Sequence, residues 1–411
     1  MPRHLVTPRW ALLFGATTVA WACTDAPTIP TTPTAPTAPT APTAADAPAS
    51  GSVEQWDELV TTRWNKRTTD LLQRYGAPSN GQAWASRMLT YLSLAQYRAA
   101  LMATAPETHA SVDAAVARAS VDVLSNFYVN FHPALVATFE EELRTDGNRQ
   151  NLAHEDVAAG DAIGREAALS VRALMAADQY GIALLPEVST TEGAWYTHSA
   201  VVRSLYGVTP FFLHPADLMF TGEPPAIGSH ALHDAAAEVY AIINVSPELR
   251  AQQVAIALKW NKVSPFGPFT AGEWNRIGVE LIEGHRFTEA EASRILAYAN
   301  VAAFDAQIIC FTTKFYWWIP RPWQVDSRIQ PLLAFTTPNH PSYPSAHSCI
   351  SGAFTAVLSH AFPSDRDMLQ ATLEEAGMSR IYAGIHYLFD VEAGREVGAY
   401  AAAKALAGSL E

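Results

Sequence analysis

From Ser345 onward, apolar residues recur at steps of three and four. Ile350, Ala353, Phe354, Val357, Leu358 and Ala361 trace one face of a buried helix. The stretch just before it, PNHPSYPSAH from Pro338 to His347, breaks every regular pattern. Each of its prolines lacks an N–H and fixes its own φ, so it is neither helix interior nor central strand. The pattern predicts a stiff loop that delivers Ser345 and His347 to a helix start. The helical period also runs through Ser111–Tyr128 and Glu155–Asp178, both rich in alanine. Two Thr-x-x-Glu boxes, Thr270–Glu273 and Thr288–Glu291, predict further helix starts. The second opens a long apolar helix that Pro320 and Pro322 end. Between about Pro186 and Ser229, Pro, Gly and aromatic residues follow no period, which predicts an ordered loop over a pocket. No alternating strand pattern and no repeat is present. The expected class is all-α, with one helical domain over 52–411.

Composition changes this picture mainly at the N-terminus. Of 411 residues, 49% are apolar and 16% charged, and the formal net charge is −13. That balance argues against nucleic acid as a partner and leaves small anions open. Arg3 and Arg9 precede an apolar run, Trp10–Ala22, too short to span a bilayer with ease. Residues 1–23 therefore read as an export signal. VAWAC resembles a bacterial lipoprotein signal, with Cys23 as the lipidated first mature residue, although Ala20 and Trp21 depart from the usual pattern; plain secretion is the alternative. Residues 24–51, rich in Thr, Ala and Pro, hold too little apolar surface to fold and read as a disordered tether. The expected location is the bacterial cell envelope, the periplasm or the medium, with membrane contact only through the lipid. Cys310 and Cys349 sit in apolar helical contexts and read as buried free thiols.

Three segments carry chemistry: KFYWWIPRP with Lys314 and Arg321, PSAH ending at His347, and SRIYAGIHYLFD with Arg380, His386 and Asp390. Guanidinium forks and an ammonium are what a tetrahedral oxyanion needs around its oxygens. Ser345 and the amides of Ala346 and His347 lie at a helix N-terminus, which suits an anion. Asp390 follows His386 by four positions, so on a helix the two share a face. The carboxylate would then hold one imidazole N–H and leave the other nitrogen for a metal or for phosphorus.

Lys, six residues, Arg-Pro; Pro-Ser-small-His; and Ser-Arg, five residues, His, three residues, Asp: this set resembles the signature of the vanadium haloperoxidase and type 2 phosphatidic acid phosphatase superfamily. The motifs span 314–390. The resemblance implies that superfamily's helical bundle. It implies that Lys314, Arg321 and Arg380 bind the equatorial oxygens of vanadate or of a competing phosphate, and that Ser345 and the amide at Ala346 complete the cage. His347 would be the general acid–base, with His386 the axial vanadium ligand or the phosphorylated nucleophile. Ala346 stands where the family usually has glycine. Two reactions share such a cage: vanadate-dependent oxidation of halide by hydrogen peroxide to hypohalous acid, and hydrolysis of phosphate monoesters through a phosphohistidine. A non-catalytic oxyanion-binding role is a third reading. The soluble-looking body, its long helical N-terminal half and its tryptophans resemble the haloperoxidase branch. His340 stands where that branch has a residue facing the vanadate pocket, which implies bromide or iodide as the halide and a role for His340 in the pH profile.

Overall fold

The computed structural model describes residues 58–410 apart from 79–80, 106, 146–153, 183, 263–266 and 333–337. The signal segment, Cys23 and the tether lie outside the described residues. Helices account for the regular structure among the described residues, and no strand occurs there. In chain order they are α1 Val60–Tyr75, α2 Gly81–Ala103, α3 Val112–Tyr128, α4 Pro133–Thr145, α5 His154–Ala177, α6 His230–Ile243, α7 Pro247–Lys259, α8 Phe269–Gly284, α9 Glu289–Trp317, α10 Pro322–Val325, α11 Ala346–Ala361, α12 Arg366–Tyr382 and α13 Leu388–Ala407.

Helix α9 is the axis of the fold. Thr288 and Glu291 form the expected reciprocal cap at its start. At its end Trp318 takes a left-handed conformation (φ 53°) and Pro320 follows. It is long and apolar enough to cross a membrane, but 89% of its apolar window is buried by the protein's other helices. Helices α2, α11 and α13 pack around it. Two of its carboxylates are structural. Glu289 accepts from the amides of Val60 and Thr61 and so caps α1. Asp305 accepts from the amides of Phe211 and Phe212, both at 2.8 Å, and fastens the irregular stretch 184–229 to the core.

The other Thr-x-x-Glu box does not cap a helix. Helix α8 begins one residue earlier, with Pro268 as its cap residue, and Thr270 is buried inside the first turn. Gln82 Oε1 accepts from the Thr270 amide at 3.3 Å, a tertiary contact that does what the local box was expected to do.

The crossing of α11 over α13 positions the residues of interest. A Cβ on Gly398 would lie 2.4 Å from the amide nitrogen of Ala353 and 2.5 Å from the Cys349 carbonyl oxygen. One on Gly394 would lie 2.7 Å from the Ser345 carbonyl oxygen. The two backbones therefore touch, and the Ser345 amide donates to the Asp390 carbonyl at 2.8 Å. We predict that Gly398→Ala destabilises the protein by roughly 1–3 kcal/mol through overpacking, although alanine is the better helix former. Urea denaturation measures it; an unchanged or raised midpoint would contradict the contact.

Candidate active site

The start of α11 is built as the proline loop suggested. Ser345 is the N-cap, and its hydroxyl accepts from the Ser348 amide. Among the described residues, the amides of Ala346 and His347 have no acceptor, at the positive end of a four-turn helix. Ala346 opens the helix without a positive φ, so glycine's conformational freedom is not required there.

His386 and Asp390 meet, but not along one helix face. His386 lies in the turn before α13, whose N-cap is Tyr387. That turn follows Gly384 at φ 73°. Asp390 sits in the first helical turn and reaches back. Its Oδ2 accepts from His386 Nδ1 at 2.7 Å, from the Tyr387 amide at 3.1 Å and from Ser342 Oγ at 2.6 Å. The spacing of four is common to both geometries, and the N-terminal one won. With Nδ1–H given to Asp390, His386 keeps its lone pair on Nε2, which accepts from Arg321 Nη1 at 2.9 Å.

Lys314, Arg321 and Arg380 are all buried. Among the described residues, neither Lys314 nor Arg321 pairs with a carboxylate. Lys314 Nζ donates to the carbonyls of Pro341, Ser342 and Pro344, so the ammonium also clasps the proline loop. Arg321 donates to the carbonyls of His340 and Ile385, to His386 and to His340 Nδ1 at 3.1 Å. Arg380 donates to Ser379 Oγ at 3.0 Å and to the Ala257 carbonyl at 3.2 Å. His347 Nε2–H donates to the Trp260 carbonyl at 3.3 Å, which leaves Nδ1 as its basic nitrogen. His340 packs edge-on against Phe311.

The electrostatics follow from burying cations together. Burial holds His386 well below the ordinary histidine value, reinforced by Arg321 and Lys314, so its imidazole is neutral at neutral pH. His347 and His340 are lowered by burial first, and then His347 chiefly by Arg380 and His340 by Lys314 and Arg321. Burial pushes Asp390 up to about 6, which leaves it ionised at pH 7. Burial pushes Lys314 down to about 8, while its three carbonyl acceptors favour the charged form at neutral pH. Cys310 and Cys349 are free and buried, and the Cys310 thiol donates to the Pro344 carbonyl, which Lys314 also meets.

This donor set suits a tetrahedral oxyanion. It offers three cations, a serine hydroxyl, two amides without protein acceptors and a neutral imidazole nitrogen. All the motif residues from 314 to 390 lie in or around this one cluster. The sequence did not disclose the backbone carbonyls of Pro341, Ser342, Pro344, Ile385 and Trp260, nor the Ser342 hydroxyl. A carbonyl carries no residue-type signal, and Ser342 had only its place in the proline loop.

Residues 294–408 match the family model for the PAP2 superfamily. Over 102 residues the chain is 35% identical to a non-specific acid phosphatase of Salmonella typhimurium, covering 24% of this chain and 41% of that protein. Over 58 residues it is 45% identical to a non-specific acid phosphatase of Salmonella typhi, covering 14% of this chain and 23% of that one. The chain thus spans less than half the length of these curated relatives. The fold is similar to that of a bacterial vanadium-dependent iodoperoxidase described as the first of its kind, with a TM-score of 0.71 at 20% identity over 85% of this chain and 96% of the other. It is also similar to an apo bacterial vanadium-dependent chloroperoxidase, with a TM-score of 0.59 at 13% identity over 82% and 96%. The segment that holds the buried cations and the histidine–aspartate pair is the one that matches the PAP2 superfamily.

Proposed function

We propose that the cage holds vanadate and that the protein oxidises iodide or bromide with hydrogen peroxide to hypohalous acid. The observation that carries this reading is the fold's likeness to an iodoperoxidase across 85% of the chain, far beyond the segment shared with phosphatases. Lys314, Arg321, Arg380, Ser345 and the amides of Ala346 and His347 would hold the oxygens, and His386 Nε2 the metal centre. When bound, vanadate supplies a Lewis-acid centre that activates peroxide toward halide. Asp390 fixes the His386 tautomer and ring orientation. His347, neutral through burial, takes a proton from hydrogen peroxide at Nδ1, because Nε2–H is committed to Trp260. His340, against Arg321, tunes the acid limb of the pH profile.

A second reading, phosphate monoester hydrolysis, is favoured by the identity to the two acid phosphatases. There His386 Nε2 attacks phosphorus, a protonated His347 gives its proton to the leaving alcohol, and water hydrolyses the phosphohistidine. The burial that lowers His347 would confine this chemistry to acidic pH until a bound dianion raises it.

Triiodide formation from iodide and peroxide, with and without orthovanadate, separates the two when run beside p-nitrophenyl phosphate hydrolysis. The expected result is vanadate-dependent iodide oxidation. Phosphate ester turnover without any halide oxidation would establish the phosphatase instead. His386→Ala should lose vanadate binding and all turnover, read by isothermal titration and by rate. His347→Ala should keep vanadate and lose about 10²–10⁴-fold in rate.

The lowered value of Lys314 gives a pH dependence. Sulfate stays doubly charged across the range, so its affinity reports the cage alone. It should fall by roughly tenfold or more between pH 7 and 9.5, as the ammonium discharges above about 8. In a folded Lys314→Met variant this step should vanish. Stability moves the other way: with the folded value below the ordinary lysine value of 10.5, this group's contribution to stability rises between pH 8 and 10.5.

A further inference from the structure

A cleft of about 260 Å³ lies beside the cage, lined by Trp195, Tyr196, His198, Trp323, Pro338 and Asn339 among others. A second cleft shares Trp195, Tyr196, Thr197 and Ser199 with it and is lined in part by Trp318. Two contacts join the first cleft to the cage. The Arg321 guanidinium lies 5.9 Å from the Trp323 ring centre. Asn339 precedes His340, whose carbonyl and Nδ1 both meet Arg321. The anion site and the cleft thus share a wall.

Among the described residues, the cleft's lining holds no carboxylate, lysine or arginine, in a chain of net charge −13. Its aromatic residues are tied down through their main chain as well as by ring contacts, Trp195 with Trp318 at 6.0 Å among them. The Trp195 amide donates to the Trp318 carbonyl at 2.8 Å, Gln324 Nε2 to the Tyr196 carbonyl at 2.9 Å, and the Val202 amide to the Asn339 carbonyl at 2.8 Å. Tyr196 is nonetheless 62% exposed and meets His198 edge-on at 5.8 Å. An open Tyr196 and a half-buried Trp323, with buried Trp195 beside them, suit the stacking of a planar ring. A cavity of roughly 150 Å³ holds a benzene ring, so this one takes a substituted one.

From these features we infer that the cleft binds an uncharged aromatic ring and holds it beside the reacting centre, which makes Tyr196, His198 and Trp323 specificity-determining residues. This rests on the proposed function for the ring's fate. As an electron-rich phenol it takes halogen from hypohalous acid: a carbon–halogen bond forms, the oxygen–halogen bond breaks, and the displaced ring proton leaves with the hydroxide as water. As the aryl group of a phosphate monoester, the same ring is the leaving alcohol.

The test uses the full-length protein and 4-methylphenol, with its dissociation constant read by ligand-observed NMR in the wild type, Tyr196→Ala and His198→Ala. Each substitution should weaken binding roughly three- to tenfold. The turnover arms compare the KM for phenyl phosphate with that for glycerol phosphate, and iodination of the phenol with triiodide formation. Weakened phenol binding together with a raised KM for phenyl phosphate but no halide oxidation would keep the cleft and overturn the haloperoxidase reading. Vanadate-dependent iodide oxidation with phenol affinity unchanged in both variants would overturn the cleft and leave that reading standing. Wild-type protein that binds no 4-methylphenol would also sink the cleft.

Discussion

Every other feature of the site answers to one constraint: three cations are buried in it, and the carboxylate near two of them, Lys314 and Arg321, is already committed to a histidine. Removing Lys314, Arg321 and Arg380 from water costs several kcal/mol each unless their donors are satisfied. The protein satisfies Lys314 and Arg321 with neutral oxygens, above all main-chain carbonyls, rather than with acids. A carboxylate in those places would have neutralised the field. Carbonyls meet the hydrogen-bonding demand and leave the positive potential standing. Burial keeps the imidazoles neutral, and that potential adds to it.

Carbonyls have to be brought to the cations, which explains the architecture. Lys314 projects from the last turn of the core helix α9 and gathers the oxygens of Pro341, Ser342 and Pro344, so the loop is registered to the middle of the molecule. The Ser342 amide donates to the Ile319 carbonyl, just beyond the end of α9. Glycines at the α11–α13 crossing then let the Ser345 amide reach the first turn of α13. Three chain segments converge through main-chain contacts, and the side chains inherit their precision from that.

Much of this was legible in the sequence. The helical period, the Thr288–Glu291 cap and the proline stop after α9 were read from local chemistry, and local chemistry determined them. The motif residues could be listed because guanidinium, ammonium and imidazole groups are distinctive. Misreadings arose where a local pattern has two physical solutions. A spacing of four fits both a shared helix face and a first-turn carboxylate reaching back, and His386 with Asp390 took the second. A Thr-x-x-Glu box can be overridden from outside, as Gln82 does at Thr270. The aromatic cleft was partly hidden for another reason. Tyr196 and Gln324 come together over a separation of 128 positions, and no periodicity links them.

The buried charge also makes the protein's apparent stability a property of its solution. Any small oxyanion that enters the cage binds the folded chain and has no such site on the unfolded one. It therefore adds RT ln(1 + [L]/Kd), about 2.7 kcal/mol at a concentration one hundred times its Kd. If the cage holds an oxyanion as proposed, a melting temperature taken in phosphate buffer and one taken in a buffer without oxyanions describe two different ligation states of the same chain. A cofactor competing for that cage has to displace whatever oxyanion the surroundings already supply.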